Sequence, residues 1–148
     1  MWDHRIRSAR PADLEGVLEL FRYLNPRDPP LDPAKAEAAW SALLGSGLTT
    51  VFVAEIDGRL VATCTLAIIP NLTRAASSFG VIENVVTHPD QRRKGTGRAV
   101  LQASLDAAWE AGCYKVMLAS GRDEDTLHFY ENCGFKRGGK TFFEIRRS

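Results

Sequence analysis

The part of this chain whose residues are best suited to chemistry is a basic loop at residues 92–98, Arg-Arg-Lys-Gly-Thr-Gly-Arg. It follows an apolar run and a His-Pro-Asp turn, and it precedes a helical pattern over residues 99–110. The first N–H groups of a helix have no acceptor within the helix, and they carry a partial positive charge. Because the loop adds four cations and no acid, it predicts a site for phosphate.

The spacing of the glycines separates three kinds of phosphate loop. A nucleoside triphosphate loop ends in Gly-Lys-Ser/Thr, whereas Gly97 is followed by arginine and alanine. A dinucleotide loop needs a third glycine where this chain has Val100. The remaining pattern, Arg/Gln-x-x-Gly-x-Gly/Ala, is satisfied by Arg92, Gly95 and Gly97.

Two further segments accompany this loop. The sequence Glu-Asn-Val-Val at residues 83–86 precedes it, and His-Phe-Tyr-Glu-Asn-Cys-Gly-Phe at residues 128–135 follows it. Together the three segments resemble the pyrophosphate loop, the preceding strand and the Phe-Tyr-Glu-x-x-Gly-Phe element of the GNAT superfamily of N-acetyltransferases. Within that superfamily, residues 5–147 are most similar to the eukaryotic-type glucosamine-6-phosphate N-acetyltransferases.

The resemblance implies acetyl-CoA (coenzyme A) as the co-substrate and no metal. Backbone groups of Val85, Val86 and Thr87 would pair with the pantetheine arm and polarise the thioester carbonyl. The loop would hold the pyrophosphate. The cofactor-binding residues expected on this basis are Val85, Val86, Thr87, Arg92, Arg93, Lys94, Gly95, Thr96, Gly97, Arg98 and Tyr130.

Two residues are expected to be catalytic. The family's tyrosine falls on Tyr130, and a tyrosine hydroxyl, whose ordinary pKa is about 10, can donate to a leaving thiolate, whose ordinary pKa is about 8.5. The alternative is that Tyr130 only packs its ring. Glu83 stands in an otherwise apolar strand, so we expect it to be buried with a partner or a purpose. It is either the base for the amine or a structural glutamate.

The acceptor implied is a primary amine of a small molecule, with an amino sugar phosphate such as glucosamine 6-phosphate first. The expected substrate-binding residues are Glu83, Asn84, Asn71, Arg74, Tyr114, Lys115 and Arg146. This chain has Asn84 where the related enzymes carry an acid, and a lysine of theirs falls on Asn71. The alternatives are therefore an aminoalkylphosphonate, a polyamine or a protein N-terminus as acceptor, or a non-catalytic acyl-CoA sensor.

Composition narrows the class of protein. The chain has 148 residues, of which 45% are hydrophobic and 25% charged, and we expect a single N-acetyltransferase domain over residues 1–148. A net charge of +1 argues against a nucleic-acid binder. The sequence has no long apolar run and no signal-peptide pattern, which predicts a cytoplasmic protein that does not enter a membrane. The three cysteines suggest neither disulfides nor a zinc site.

Hydrophobic periodicity and turn signals predict a mixed α/β (α+β) fold. The Asp57-Gly58 pair predicts a type I′ hairpin turn, and Asp32 followed by Pro33 predicts the capped start of the second helix. The expected order is strand, two helices, three strands, helix, strand, helix and a last strand at residues 141–146. The resemblance implies a central, mostly antiparallel sheet that splays between strands 4 and 5 and is flanked by about four helices. It also implies a homodimer that shares C-terminal elements between subunits.

Overall fold

The computed structural model describes residues 4–147, so the ends of the predicted 1–148 domain lie outside it. These residues form two compact units, divided after residue 117. Two short 3-10 turns precede α1 and α4. The elements are, in order, β1 (Arg5–Ser8), α1 (Leu14–Leu24), α2 (Pro33–Gly45), β2 (Thr49–Ile56), β3 (Arg59–Ile69), α3 (Thr73–Ala76), β4 (Phe79–Thr87), α4 (Thr96–Glu110), β5 (Val116–Leu118) and α5 (Glu124–Asn132).

The strands form one sheet in the order β1-β2-β3-β4-β5. Neighbours from β1 to β4 are antiparallel, and β4 and β5 are parallel, which confirms the predicted mixed, mostly antiparallel sheet. The backbone hydrogen bonds between β4 and the segment entering β5 lie at the start of β4. There Gly80 N–H donates to the Lys115 carbonyl, and Tyr114 N–H donates to the Ser78 carbonyl.

Local sequence signals explain where several elements begin and turn. Asp57 and Gly58 have φ values of 50° and 77°, which suit the type I′ turn predicted between β2 and β3. Asp32 caps α2 by accepting a hydrogen bond from Lys35 N–H at 3.1 Å, and Pro33 occupies the first helical position. These sequence-based boundaries are confirmed.

The core lies on both faces of β3. Residues 61–66 are all buried, although successive side chains of a strand point to opposite faces. Both α1 and α4 contact this strand, so each face has a helix to cover it. Leu20, Leu66 and Leu101 are among the fully buried side chains. Truncating such a leucine to alanine costs about 2–5 kcal/mol. Because β3 pairs directly with β4, this core supports the strand that leads to the 92–98 loop.

The predicted last strand at residues 141–146 is wrong for the described chain. Residues 141–147 form neither helix nor strand, and Phe142, Phe143 and Ile145 are 66%, 86% and 97% exposed. A strand exists only where a neighbouring strand accepts and donates its backbone hydrogen bonds. Within residues 119–147 the structure provides none. The aromatic and β-branched residues of this segment favour a strand, but they do not provide a neighbouring strand for it to pair with.

Candidate active site

The 92–98 loop ends at the uncapped start of α4. Gly95 is the N-cap residue, at φ 82°, and no side chain accepts a hydrogen bond from the first turn. Helical hydrogen bonding begins when Ala99 N–H donates to the Gly95 carbonyl at 3.0 Å. The N–H groups of residues 96–98 therefore have no acceptor within the helix, as is usual where the start of a helix binds an anion.

Gly95 leaves open space on the ligand side of this loop. A Cβ built on it would meet no protein atom within 4 Å, so packing within the chain does not require glycine there. Its left-handed φ does favour glycine, and the missing side chain lets a ligand approach the backbone closely. The loop therefore fits a pyrophosphate group.

The side chains of the loop add positive charge. Arg92, Arg93 and Arg98 are exposed, and none of them forms an ion pair within residues 4–147. Lys94 Nζ donates to the Asp90 carbonyl at 2.9 Å. Thr96 is fully buried, so its side chain is not available to a ligand.

Hydrogen bonds of His88 hold the start of this loop in place, and the sequence analysis did not identify this residue. Its backbone N–H donates to the Val61 carbonyl, and its buried ring lies 4.9 Å edge-on from the Tyr23 ring. Nδ1 accepts from Asp90 N–H at 3.1 Å, and Nε2 lies 2.7 Å from Arg59 Nη2. A polar residue just before a proline that starts a 3-10 turn is the signal that predicts such a cap.

A β-bulge in β4 exposes two of the predicted substrate residues. Thr65 pairs with Glu83 and Thr63 pairs with Val86, so residues 84 and 85 oppose a single residue of β3. Asn84 has φ 55° at this bulge. The bulge interrupts the alternation of side chains, and both Glu83 and Asn84 are exposed.

The expectation that Glu83 is buried is therefore wrong. Within residues 4–147, its carboxylate has no hydrogen bond or ion pair to protein. Further along β4, Val86 is buried, while Val85 and Thr87 are partly exposed. Val86 therefore has only backbone groups to offer a ligand.

The predicted acceptor residues Arg74, Tyr114 and Lys115 lie together. The guanidinium carbon of Arg74 is 5.7 Å from the centroid of the Tyr114 ring. Lys115 Nζ is 5.4 Å from the same ring and 5.3 Å from the Phe79 ring. The side-chain amide of Asn71 is hydrogen-bonded to a neighbour in the chain, because its Nδ2 donates to Thr73 Oγ1 at 2.8 Å.

In the second unit, Tyr130 lies on α5. Its ring makes edge-to-face contacts with Phe129 and Phe135, at centroid distances of 5.1 and 6.0 Å. Asp123 caps the helix by accepting from Thr126 N–H and Oγ1–H at 3.0 and 2.7 Å, and these bonds lower the pKa of its carboxyl group. Asp123 therefore has a structural role as the N-cap of α5.

Arg146 is exposed, and its Nε lies 3.5 Å from Glu144 Oε1. No group of three or more His, Cys, Asp or Glu side chains within residues 4–147 is arranged to hold a metal ion. Among the described helices, none is both long and apolar enough to cross a membrane.

Known proteins resemble this chain over most of its length. The family model described as "Acetyltransferase (GNAT) family" matches residues 17–135. A glucosamine 6-phosphate N-acetyltransferase of Trypanosoma brucei brucei is 35% identical over 135 residues, which cover 90% of each chain. A solved structure from Agrobacterium tumefaciens str. C58 has 49% identity and a TM-score of 0.91, covering 97% of this chain and 99% of that one.

A more distant structure carries the same enzyme name as the trypanosome relative. The crystal structure of glucosamine-6-phosphate N-acetyltransferase from Arabidopsis thaliana has 25% identity and a TM-score of 0.85, covering 96% of this chain and 97% of that one. The family model spans most of the chain, including β4, the 92–98 loop and α5. The chain therefore belongs to the GNAT family of acetyltransferases, and it is an acyltransferase enzyme.

Proposed function

We propose that the protein transfers the acetyl group of acetyl-CoA to the primary amine of an amino sugar phosphate, with glucosamine 6-phosphate as the first candidate. The main support for acetyl-CoA as the donor is the 92–98 loop, because its N–H groups, its open glycine and its unpaired arginines suit a pyrophosphate. The names of the trypanosome and Arabidopsis relatives support the acceptor.

Acetyl-CoA supplies an acyl group that is already activated as a thioester. Under this proposal the N–H groups of residues 96–98 bind its pyrophosphate, while Arg92, Arg93 and Arg98 add charge. Backbone groups of residues 85–87 orient the pantetheine arm. The bound donor then lies along β4, with the exposed bulge residues Glu83 and Asn84 beside it.

The amine must lose its proton before it attacks. In our proposal the Glu83 carboxylate takes that proton, directly or through a water molecule. Its position supports this role, since it is exposed and its oxygen atoms accept no hydrogen bond from the described protein. Asn84, next to it on the bulge, would contact the acceptor.

The departing thiolate needs a proton donor, and we assign that role to Tyr130. Attack is direct, in a ternary complex. Burial raises the pKa of the Cys64 thiol to about 11 and also raises that of Cys113, which makes both poor nucleophiles. A covalent acetyl-cysteine at either residue is therefore disfavoured.

We further infer a single N-acetyltransferase domain that works as a homodimer. The apolar side chains of Phe142, Phe143 and Ile145 would be covered by a second copy, which would also supply the missing strand partner. Light scattering tests this point. A dimeric wild type and a monomeric Phe143→Asp variant are expected, whereas a monomeric wild type contradicts the dimer.

A thiol-release assay with acetyl-CoA tests the reaction. The amines are glucosamine 6-phosphate, glucosamine, 2-aminoethylphosphonate, spermidine and a peptide with a free N-terminus. We expect glucosamine 6-phosphate to give the highest kcat/KM. A preference for another amine would overturn the acceptor, and thermal stabilisation by acetyl-CoA without turnover of any amine would indicate a sensor. If acetyl-CoA does not stabilise the protein, the donor assignment is wrong.

A further inference from the structure

A buried histidine joins the end of β4 to the turn that leads into the 92–98 loop. His88 follows β4 directly, and its backbone N–H donates to the Val61 carbonyl at 2.7 Å, which extends the pairing of β3 with β4 by one residue. Its buried ring lies edge-on to the Tyr23 ring, at a centroid distance of 4.9 Å. Contacts of its backbone and of its ring therefore fix the position of His88.

One ring nitrogen of His88 holds the backbone of the turn that follows. Nδ1 accepts a hydrogen bond from Asp90 N–H at 3.1 Å. Because a backbone N–H can only donate, Nδ1 carries no proton in this contact and acts as the acceptor of an N-cap. Gln91 N–H closes the same turn by donating to the His88 carbonyl at 2.9 Å. The turn is thus bound both to the ring and to the backbone of His88.

Asp90 links this turn to the loop. Its N–H is bound by His88, and its carbonyl accepts from Lys94 Nζ at 2.9 Å. Between these two contacts lies Arg93, which has a φ of 63°. This left-handed conformation is disfavoured for residues other than glycine, so it persists only where the surrounding structure maintains it. The loop therefore needs restraints to keep a single conformation.

We propose that His88 is a positioning residue for the donor, because its Nδ1 keeps the 89–94 segment in the conformation that binds the pyrophosphate of acetyl-CoA. In this role His88 contacts no ligand. Without the ring acceptor the free segment would sample other conformations, and binding would have to order it at a cost in affinity. The inference rests on the proposed function, since it takes the 92–98 loop as the donor site.

Two substitutions separate the cap from the packing of the ring. His88→Asn keeps a side-chain oxygen that can cap the turn but removes the ring from Tyr23. His88→Phe keeps a ring beside Tyr23 but removes the acceptor. By calorimetry, we expect His88→Phe to bind coenzyme A roughly 10-fold more weakly than the wild type, and His88→Asn to bind it within about twofold. The opposite order would assign His88 to packing and overturn the proposal.

The matched control is Asp32→Ala, which removes a similar cap from a distant helix. Asp32 accepts from Lys35 N–H at the same distance of 3.1 Å, and a proline likewise starts α2. We expect Asp32→Ala to lower the melting temperature, as His88→Phe does, but to bind coenzyme A within about twofold of the wild type. If the control lost as much affinity as His88→Phe, reduced stability alone would explain the loss and the proposal would be wrong.

The outcome for His88 is separable from the outcome for the donor. If the wild type and His88→Phe bind coenzyme A equally tightly, the positioning role is wrong and the donor site stands. If the wild type does not bind coenzyme A, the donor assignment is wrong and the positioning role is overturned with it. If His88→Phe does not fold, His88→Asn decides, because wild-type affinity supports the cap and a roughly 10-fold loss contradicts it.

Discussion

Two cationic turns of the first unit place their charges by different means. In the 92–98 loop, Arg93 and Gly95 both take the left-handed conformation, and α4 follows. In the 73–76 turn, three successive left-handed residues include no glycine, and β4 follows after two residues. The first turn offers backbone N–H groups to an anion, whereas the second offers the tip of one side chain.

This difference explains why only one of the turns has a sequence signature. A backbone site requires glycine at a fixed distance from a helix start, so its spacing can be recognised. A side-chain site requires only that Arg74 and Lys115 come together, and they are far apart in the chain. Their meeting depends on how β4 and the segment before β5 pair.

The largest expected effect comes from filling the open side of the 92–98 loop. Gly95→Val should raise the KM for acetyl-CoA roughly 1,000-fold, because it displaces at least two charge-assisted hydrogen bonds of about 2 kcal/mol each. Steady-state kinetics measure the change. The control is Gly58→Val, which has a similar φ of 77° and equally open surroundings in the β2–β3 hairpin. Equal effects on KM would mean that strain alone is responsible.

Tyr130→Phe should act on a different kinetic constant. We expect kcat to fall roughly 10- to 1,000-fold, as for a lost general acid, with little change in the KM for acetyl-CoA. Phe129→Leu is the control, because it alters the neighbouring ring and leaves the hydroxyl in place. An unchanged kcat in Tyr130→Phe would make the residue structural.

The core beneath the 92–98 loop should become less stable at alkaline pH. Cys64 Sγ–H donates to the Val100 carbonyl of α4, and burial raises its pKa from 9.0 to about 11. Between these values the unfolded chain has released the proton and the folded chain has not. The free energy of unfolding should therefore fall by at most about 1.4 kcal/mol per pH unit.

Cys64→Ala should show a shallower decline when urea unfolding is followed between pH 9 and 11. Parallel curves for the variant and the wild type would contradict this account. The 73–76 turn has no such buried support, because residues 72–76 are exposed.

The smallest effect should be a gain in stability. Ala75→Gly relieves a left-handed residue and should raise the free energy of unfolding by about 1 kcal/mol. The KM for glucosamine 6-phosphate should stay within about twofold of the wild type, because Arg74 is retained. Ala12→Gly, in the right-handed 3-10 turn before α1, is the control and should destabilise the fold. A loss of stability in Ala75→Gly would show that the turn is unstrained.

Much of the fold could be predicted from local signals. The Asp57-Gly58 hairpin, the Asp32 cap and the helix after the 92–98 loop depend on residues close in sequence, and all three are confirmed. The two errors, the last strand at 141–146 and the burial of Glu83, both concern hydrogen-bond pairing between strands. Neither a missing partner strand nor a β-bulge can be recognised from the amino-acid composition of the segment itself.

The sequence alone was enough to propose the 92–98 loop as the donor site, since glycine spacing, a helix start and a run of cations are all properties of neighbouring residues. The three-dimensional arrangement was needed for the acceptor side. It exposed Glu83 through a bulge and brought Arg74 and Lys115 onto one tyrosine ring. Contacts of this kind form between residues distant in the chain, and only the packing of the sheet determines which of them meet.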